Sequence, residues 1–187
     1  MKKRFRLALL IALAGATPAV AAPDGTPGPP WGDYLTMFRQ SAIPKRTISW
    51  DKGGAPGDIV ISTPARRLYY IQGNGTAIEY GVGVGRQGFT WAGVKHISQK
   101  REWPDWTPPA QMLRRRPDLP RHMKGGENNP LGARAMYLGS TLYRIHGSNE
   151  PETIGAAVSS GCIRMTNDDV VDLYNRVRVG TKVTVLR

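Results

Sequence analysis

Only one stretch of this chain sustains helical spacing. Val170, Leu173, Tyr174 and Val177 share one face, Thr166 or Asn167 stands where a cap is needed, Asp168 and Asp169 suit the positive end of the dipole, and Gly180 stops the run. Elsewhere the apolar residues fall in short β-rich runs at 58–62, 67–71, 77–84, 94–97, 135–138, 141–145 and 182–186. Gly73-Asn74-Gly75 is a hairpin signal, and Ile78, Tyr80, Val82 and Val84 after it alternate onto one face that needs a partner sheet. The chain is therefore predicted to be mainly β, with one helix near its C-terminus. The segment 99–132 is the least regular, carrying Trp103 and Trp106 among prolines and the basic residues Arg114, Arg115, Arg116 and Arg121.

The first 21 residues read as a signal peptide. Met1-Lys2-Lys3-Arg4-Phe5-Arg6 is basic, an apolar run too short to span a bilayer follows, and Ala19-Val20-Ala21 has the small-x-small pattern of a cleavage site. Residues 22–56, rich in proline and glycine, read as an arm or linker with a turn of helix at 34–38, and residues 57–187 as the folded domain. Export to the periplasm or cell envelope is the expectation, with no transmembrane segment after the signal is removed. The formal charge of +12 falls to +8 once the four bases of the leader are gone. Such an excess attracts polyanions. An exported chain rarely meets nucleic acid and no nucleic-acid motif is present, so an anionic envelope polymer is the better partner.

The chain has a single cysteine, Cys162. In an oxidising compartment structural cysteines come in pairs, which turns attention to catalysis. A nucleophilic thiol needs a base or a positive field. His146, at the end of a predicted strand, is the first candidate base, with His96 and His122 as alternatives. Gly161 allows a tight turn whose N–H groups, at Gly161 and Cys162, can face an oxyanion. Arg164 and the helix start favour the thiolate. No His-x-x-x-His or Cys-x-x-Cys pair is present, and no metal or cofactor is expected. The order His before Cys excludes papain-like arrangements, and the Thr-x-Thr-Cys context of sortases is missing.

The run His146-Gly147-Ser148-Asn149, Ile154-Gly155, Ser159-Ser160-Gly161-Cys162-Ile163-Arg164-Met165, with Tyr80-Gly81-Val82-Gly83-Val84-Gly85 upstream and Gly180-Thr181-Lys182-Val183 downstream, resembles the L,D-transpeptidase family, also called the YkuD domain. The resemblance covers residues 57–187. It implies a β-sandwich-like catalytic domain and a cysteine-dependent acyltransferase acting on peptidoglycan stem peptides. Cys162 is then the nucleophile, His146 the base, and the Gly147 carbonyl the group that orients the imidazole. Ser159, Ser160, Gly161 and Arg164 are the implied substrate-side residues, although some members carry a second histidine where this chain has Ser160. The acceptor is left open among a stem amine (3→3 cross-linking), water (L,D-carboxypeptidase) and a lysine of an envelope protein, with a catalytically silent wall-binding domain as the non-enzymatic alternative. Carbapenems are the implied inhibitors. For Arg164 two roles compete, binding a substrate carboxylate or holding the Cys162 turn through backbone carbonyls, and the second is expected.

Overall fold

The computed structural model describes residues 43–187. The signal peptide, the helical turn at 34–38 and most of the arm lie outside the described residues. The last part of the arm does not: Arg46–Ser49 forms strand β1, upstream of the expected boundary at 57.

The β-rich runs become strands for the reason their alternation predicts. In β2 (Ile59–Ser62), Ile59 and Ile61 are fully buried while Val60 and Ser62 keep some exposure. Strands β3 (Arg67–Gly73) and β4 (Thr76–Gly81) close on each other through Asn74 and Gly75, whose φ values of 46° and 70° are those of the tight hairpin turn read from the sequence. Strand β1 pairs antiparallel with β4. The sheet continues through β11 (Lys182–Leu186), parallel to β2, into the ten-residue β6 (Gly93–Glu102), then β7 (Arg134–Leu138), β8 (Arg144–His146) and the two-residue β10 (Ile163–Arg164). The order is β1-β4-β3-β2-β11-β6-β7-β8-β10, nine strands in one sheet.

Two differences from the expected strands have local causes. The run expected at 141–145 starts as strand only at Arg144, because Thr141 folds back: its hydroxyl donates to the Leu138 carbonyl at 2.6 Å and accepts from the Tyr143 N–H at 3.2 Å. The run expected at 77–84 breaks after Gly81. Val84–Gly85 then forms β5, which pairs in parallel with β9 (Ala157–Ser159). Between them, Gly83 exchanges both backbone hydrogen bonds with Arg164 at 2.9 Å each. That bridge joins the edge strand β10 to the chain just beyond β4, so the expected β-sandwich-like body is one sheet curled over on itself.

The curl encloses a single main core of Ile59, Ile61, Leu68, Tyr80, Ile97, Met136, Leu138, Ile145 and Ile163, all at most 1% exposed. Each such side chain contributes about 1.5–3 kcal/mol relative to exposure. Tyr80 keeps its hydroxyl satisfied in that setting by donating to Asp172 at 2.7 Å. A short helix α1 (Ala110–Arg115) lies within the irregular segment, which is ordered by the buried Asn129, whose amide donates to the carbonyls of Pro104, Met123 and Lys124. The predicted helix is α2 (Asn167–Arg176), with Val170 and Leu173 fully buried. Thr166 is its cap, accepting from the Asp169 N–H at 3.2 Å, and Lys100 donates to the Tyr174 and Val177 carbonyls at its other end. Thr166→Ala is expected to lower stability by about 1 kcal/mol, measured by denaturant titration.

Candidate active site

Strand alternation assembles the site. β8 and β10 are parallel, with Ile145 opposite Ile163 and His146 opposite Arg164. Both isoleucines are fully buried in the core, so their neighbours in each strand point to the other face. Extending the register back by one step sets Cys162 beside Arg144. Arg144, His146, Cys162 and Arg164 therefore share one face, although they span two segments separated by a loop and the 3-10 turn Pro151–Thr153.

His146 is 4% exposed, and its Nδ1 lies 2.6 Å from the Gly147 carbonyl oxygen. A carbonyl only accepts, so Nδ1 carries the hydrogen and Nε2 is left with the lone pair. Gly147 is held in turn by its own N–H, which donates to the Arg134 carbonyl at 3.0 Å.

The turn that presents Cys162 is held from within and by residues far upstream. The Ser159 hydroxyl donates to the Cys162 carbonyl at 2.6 Å and accepts from the Gly161 N–H at 3.1 Å. Arg86 N–H donates to the Ser159 carbonyl at 3.0 Å, and Trp91 Nε1 donates to the Gly161 carbonyl at 2.8 Å. Trp91 stacks on Tyr143 with centroids 4.6 Å apart and planes 5° from parallel. Gly161 has φ +107°, and a Cβ there would lie 2.6 Å from Tyr143 Cε1, so both backbone and space require glycine.

Burial dominates the electrostatics. It pushes the His146 pKa down from 6.5 to about 3, helped by the nearby Arg164 and Arg144 charges and opposed by the bond to Gly147. The imidazole is therefore neutral at rest. Burial also pushes the Cys162 thiol up, with Arg144 as the main opposing influence and Arg164 a lesser one. Arg164 favours the thiolate, as the sequence predicts, but burial outweighs the positive field, and the thiol points its S–H at the Leu142 carbonyl, 3.6 Å away.

Three further expectations change. Arg164 does not reach the backbone carbonyls of the turn; its Nη1 pairs with Glu150 Oε2 at 2.8 Å and lies 3.5 Å from the Thr153 hydroxyl. Ser159 is 4% exposed and its hydroxyl is engaged within the turn, which it supports. The Gly161 N–H is spent on Ser159, leaving the Cys162 N–H as the turn's candidate oxyanion donor. Ser160 is partly exposed at the corner of the turn. His96 and His122 are both exposed and belong to other surfaces; His122 lies 3.5 Å from Asp105. Trp103 and Trp106 do not contribute to the turn, whereas Trp91 does. Of the basic residues in the irregular segment, Arg116 is paired with Asp118, and Arg115 lies over the Phe89 ring at 5.3 Å.

Sequence reasoning passed over Arg144, Glu150 and Tyr143. Arg144 carried a usable signal, since it stands two residues before His146 in a predicted strand and so on the same face. Glu150 carried none, because its partner is set by a loop.

Residues 56–185 match the L,D-transpeptidase catalytic domain, YkuD. An Escherichia coli K12 protein named Probable L,D-transpeptidase ErfK/SrfK is 36% identical over 84% of this chain and 50% of its own length. The chain spans about half the length of the E. coli relatives it matches. By contrast, a Fuscovulum blasticum protein named Putative L,D-transpeptidase in ATP synthase subunits region ORF 5 is 31% identical over 97% of this chain and 96% of its own length. The solved structure of an L,D-transpeptidase from Mycobacterium smegmatis superposes with a TM-score of 0.57 at 20% identity, covering 72% of this chain and 60% of the other, and shares the fold. The catalytic-domain match runs from just before β2 into β11 and takes in the whole face that holds His146 and Cys162, so the chain belongs to the L,D-transpeptidase family.

Proposed function

We propose that the protein is an exported acyltransferase whose Cys162 is acylated by a peptidoglycan tetrapeptide stem with release of D-alanine, and which passes the acyl group to an amine to form 3→3 cross-links. The observation that carries this reading is the placement of Cys162 on one face with a neutral imidazole whose Nδ1–H is locked on Gly147, leaving Nε2 as a base.

In the first half-reaction the Cys162 sulfur attacks the carbonyl carbon of the third stem residue while its proton passes to His146 Nε2. The oxyanion meets the Cys162 N–H. As the C–N bond breaks, His146 returns the proton to the departing D-alanine nitrogen, leaving a thioester. In the second, an acceptor amine attacks the thioester carbon and gives a proton to His146; the sulfur leaves and recovers that proton as a thiol. Water in place of the amine makes the protein an L,D-carboxypeptidase, and a lysine of an envelope protein makes it an anchoring enzyme. The basic leader of the sequence supports a site of action in the periplasm or envelope. No helix among the described residues is long and apolar enough to cross a membrane.

Intact-mass measurement after incubation with a tetrapeptide donor tests the reading, and mass spectrometry of wall fragments with the same protein identifies the acceptor. An adduct at Cys162 with loss of D-alanine is the expected result. Absence of any adduct leaves a silent wall-binding domain. A carbapenem, whose strained acyl group mimics the donor carbonyl, is expected to add its whole mass to Cys162 and to no other residue, as located by peptide mapping.

A further inference from the structure

Arg144 is the charged group at the site whose chemistry is unaccounted for. Arg164 is paired with Glu150. Arg144 has no carboxylate within ion-pair distance among the described residues. Its Nη1 donates to the Leu142 carbonyl at 3.3 Å, and its guanidinium lies 5.0 Å from the Tyr137 ring centre. Its Nε is buried with no acceptor. The Leu142 carbonyl that takes the Nη1 hydrogen bond also accepts from the Cys162 thiol, so sulfur and guanidinium converge on one oxygen. A buried N–H left without an acceptor is unfavourable, more so on a charged group. Such a donor is free to take an acceptor that forms beside it.

We propose that Arg144 is the charge partner of the Cys162 sulfur: its guanidinium, with Nε as the waiting donor, holds the thiolate when the proton passes to His146 and again when the sulfur leaves the thioester. The groups facing the sulfur divide the work. His146 on β8 accepts the proton but resists remaining an imidazolium. Arg164 on β10 has its charge balanced by Glu150 from the following loop. Arg144 is permanently charged and has no carboxylate partner among the described residues. No proton or electron passes through it; it stabilises the negative sulfur electrostatically.

This inference rests on Cys162 being the nucleophile, and its test does not require turnover. The rate of iodoacetamide alkylation at Cys162 is measured against pH for the full chain, Arg144→Gln, Arg144→Met and Arg144→Lys, with thermal melts to confirm folding. Both neutral variants are expected to move the midpoint upward by about one pH unit. Thiolate fraction then falls about tenfold at neutral pH while intrinsic nucleophilicity rises about threefold, so alkylation at pH 7 drops roughly threefold or more. Arg144→Lys is expected to recover part of the shift. An unmoved midpoint in a folded neutral variant overturns the proposal, and if donor acylation nevertheless falls in that variant, the guanidinium reads the substrate instead. Failure of the broader functional reading looks different: the wild-type chain alkylates at Cys162 but forms no acyl-enzyme with a tetrapeptide donor.

Discussion

Cys162→Ala is expected to fold normally and to form no covalent adduct with a tetrapeptide donor or a carbapenem. The substitution removes one sulfur and its contact with the Leu142 carbonyl, and leaves the hydrogen bonds of the turn that run through the Ser159 hydroxyl, the Gly161 and Cys162 carbonyls and Trp91. A far-ultraviolet spectrum and thermal midpoint close to those of the wild type, combined with an unchanged mass after incubation, is the predicted pair of results. Continued release of D-alanine by this variant would sink the assignment of the nucleophile.

His146→Asn is expected to lower the rate of acylation on the order of 10²- to 10⁴-fold, the usual loss when a positioned general base is removed. Asparagine retains an amide donor for the Gly147 carbonyl, so the comparison isolates the missing lone pair at Nε2. The same variant carries a stability signature. The His146 pKa is lowered in the fold from 6.5 to about 3, so between these values the unfolded chain binds the proton and the native chain does not. Stability tied to this residue is complete above pH 6.5 and is lost as pH falls toward 3. His146→Asn should therefore show a shallower loss of stability with acid over that window in denaturant titrations. If His96→Ala or His122→Ala cripples acylation while His146→Asn does not, the base has been misplaced.

What was legible in the sequence was local. The Asn74-Gly75 turn, the Thr166 cap, the apolar face of α2 and the delivery of His146 by a strand end all follow from residues near one another in the chain. What was not legible depended on pairings across the sheet. β1 exists because β4 offers it an edge roughly thirty residues away, at Arg46 opposite Glu79. Arg164 turns from the backbone because the loop after β8 places Glu150 within reach. The neutral thiol also escaped the sequence reading, because the enclosure that raises its pKa is built by strands and loops that a count of nearby cations does not capture.

The Gly83–Arg164 bridge makes closure of the curl a long-range event. Its two backbone hydrogen bonds join residues that stand 81 positions apart and close the curl from its far edge, next to a strand of only two residues. Hairpins such as β3–β4 gain contacts at little loop-closure entropy, whereas this ring cannot shut until β6, β7 and β8 have ordered between its ends. Closure of the curl is then a later event than formation of its hairpins. A chain whose edge has opened at Gly83 would keep its strands, its core and the β8–β10 pairing, yet leave β10 tied to the fold from one side only.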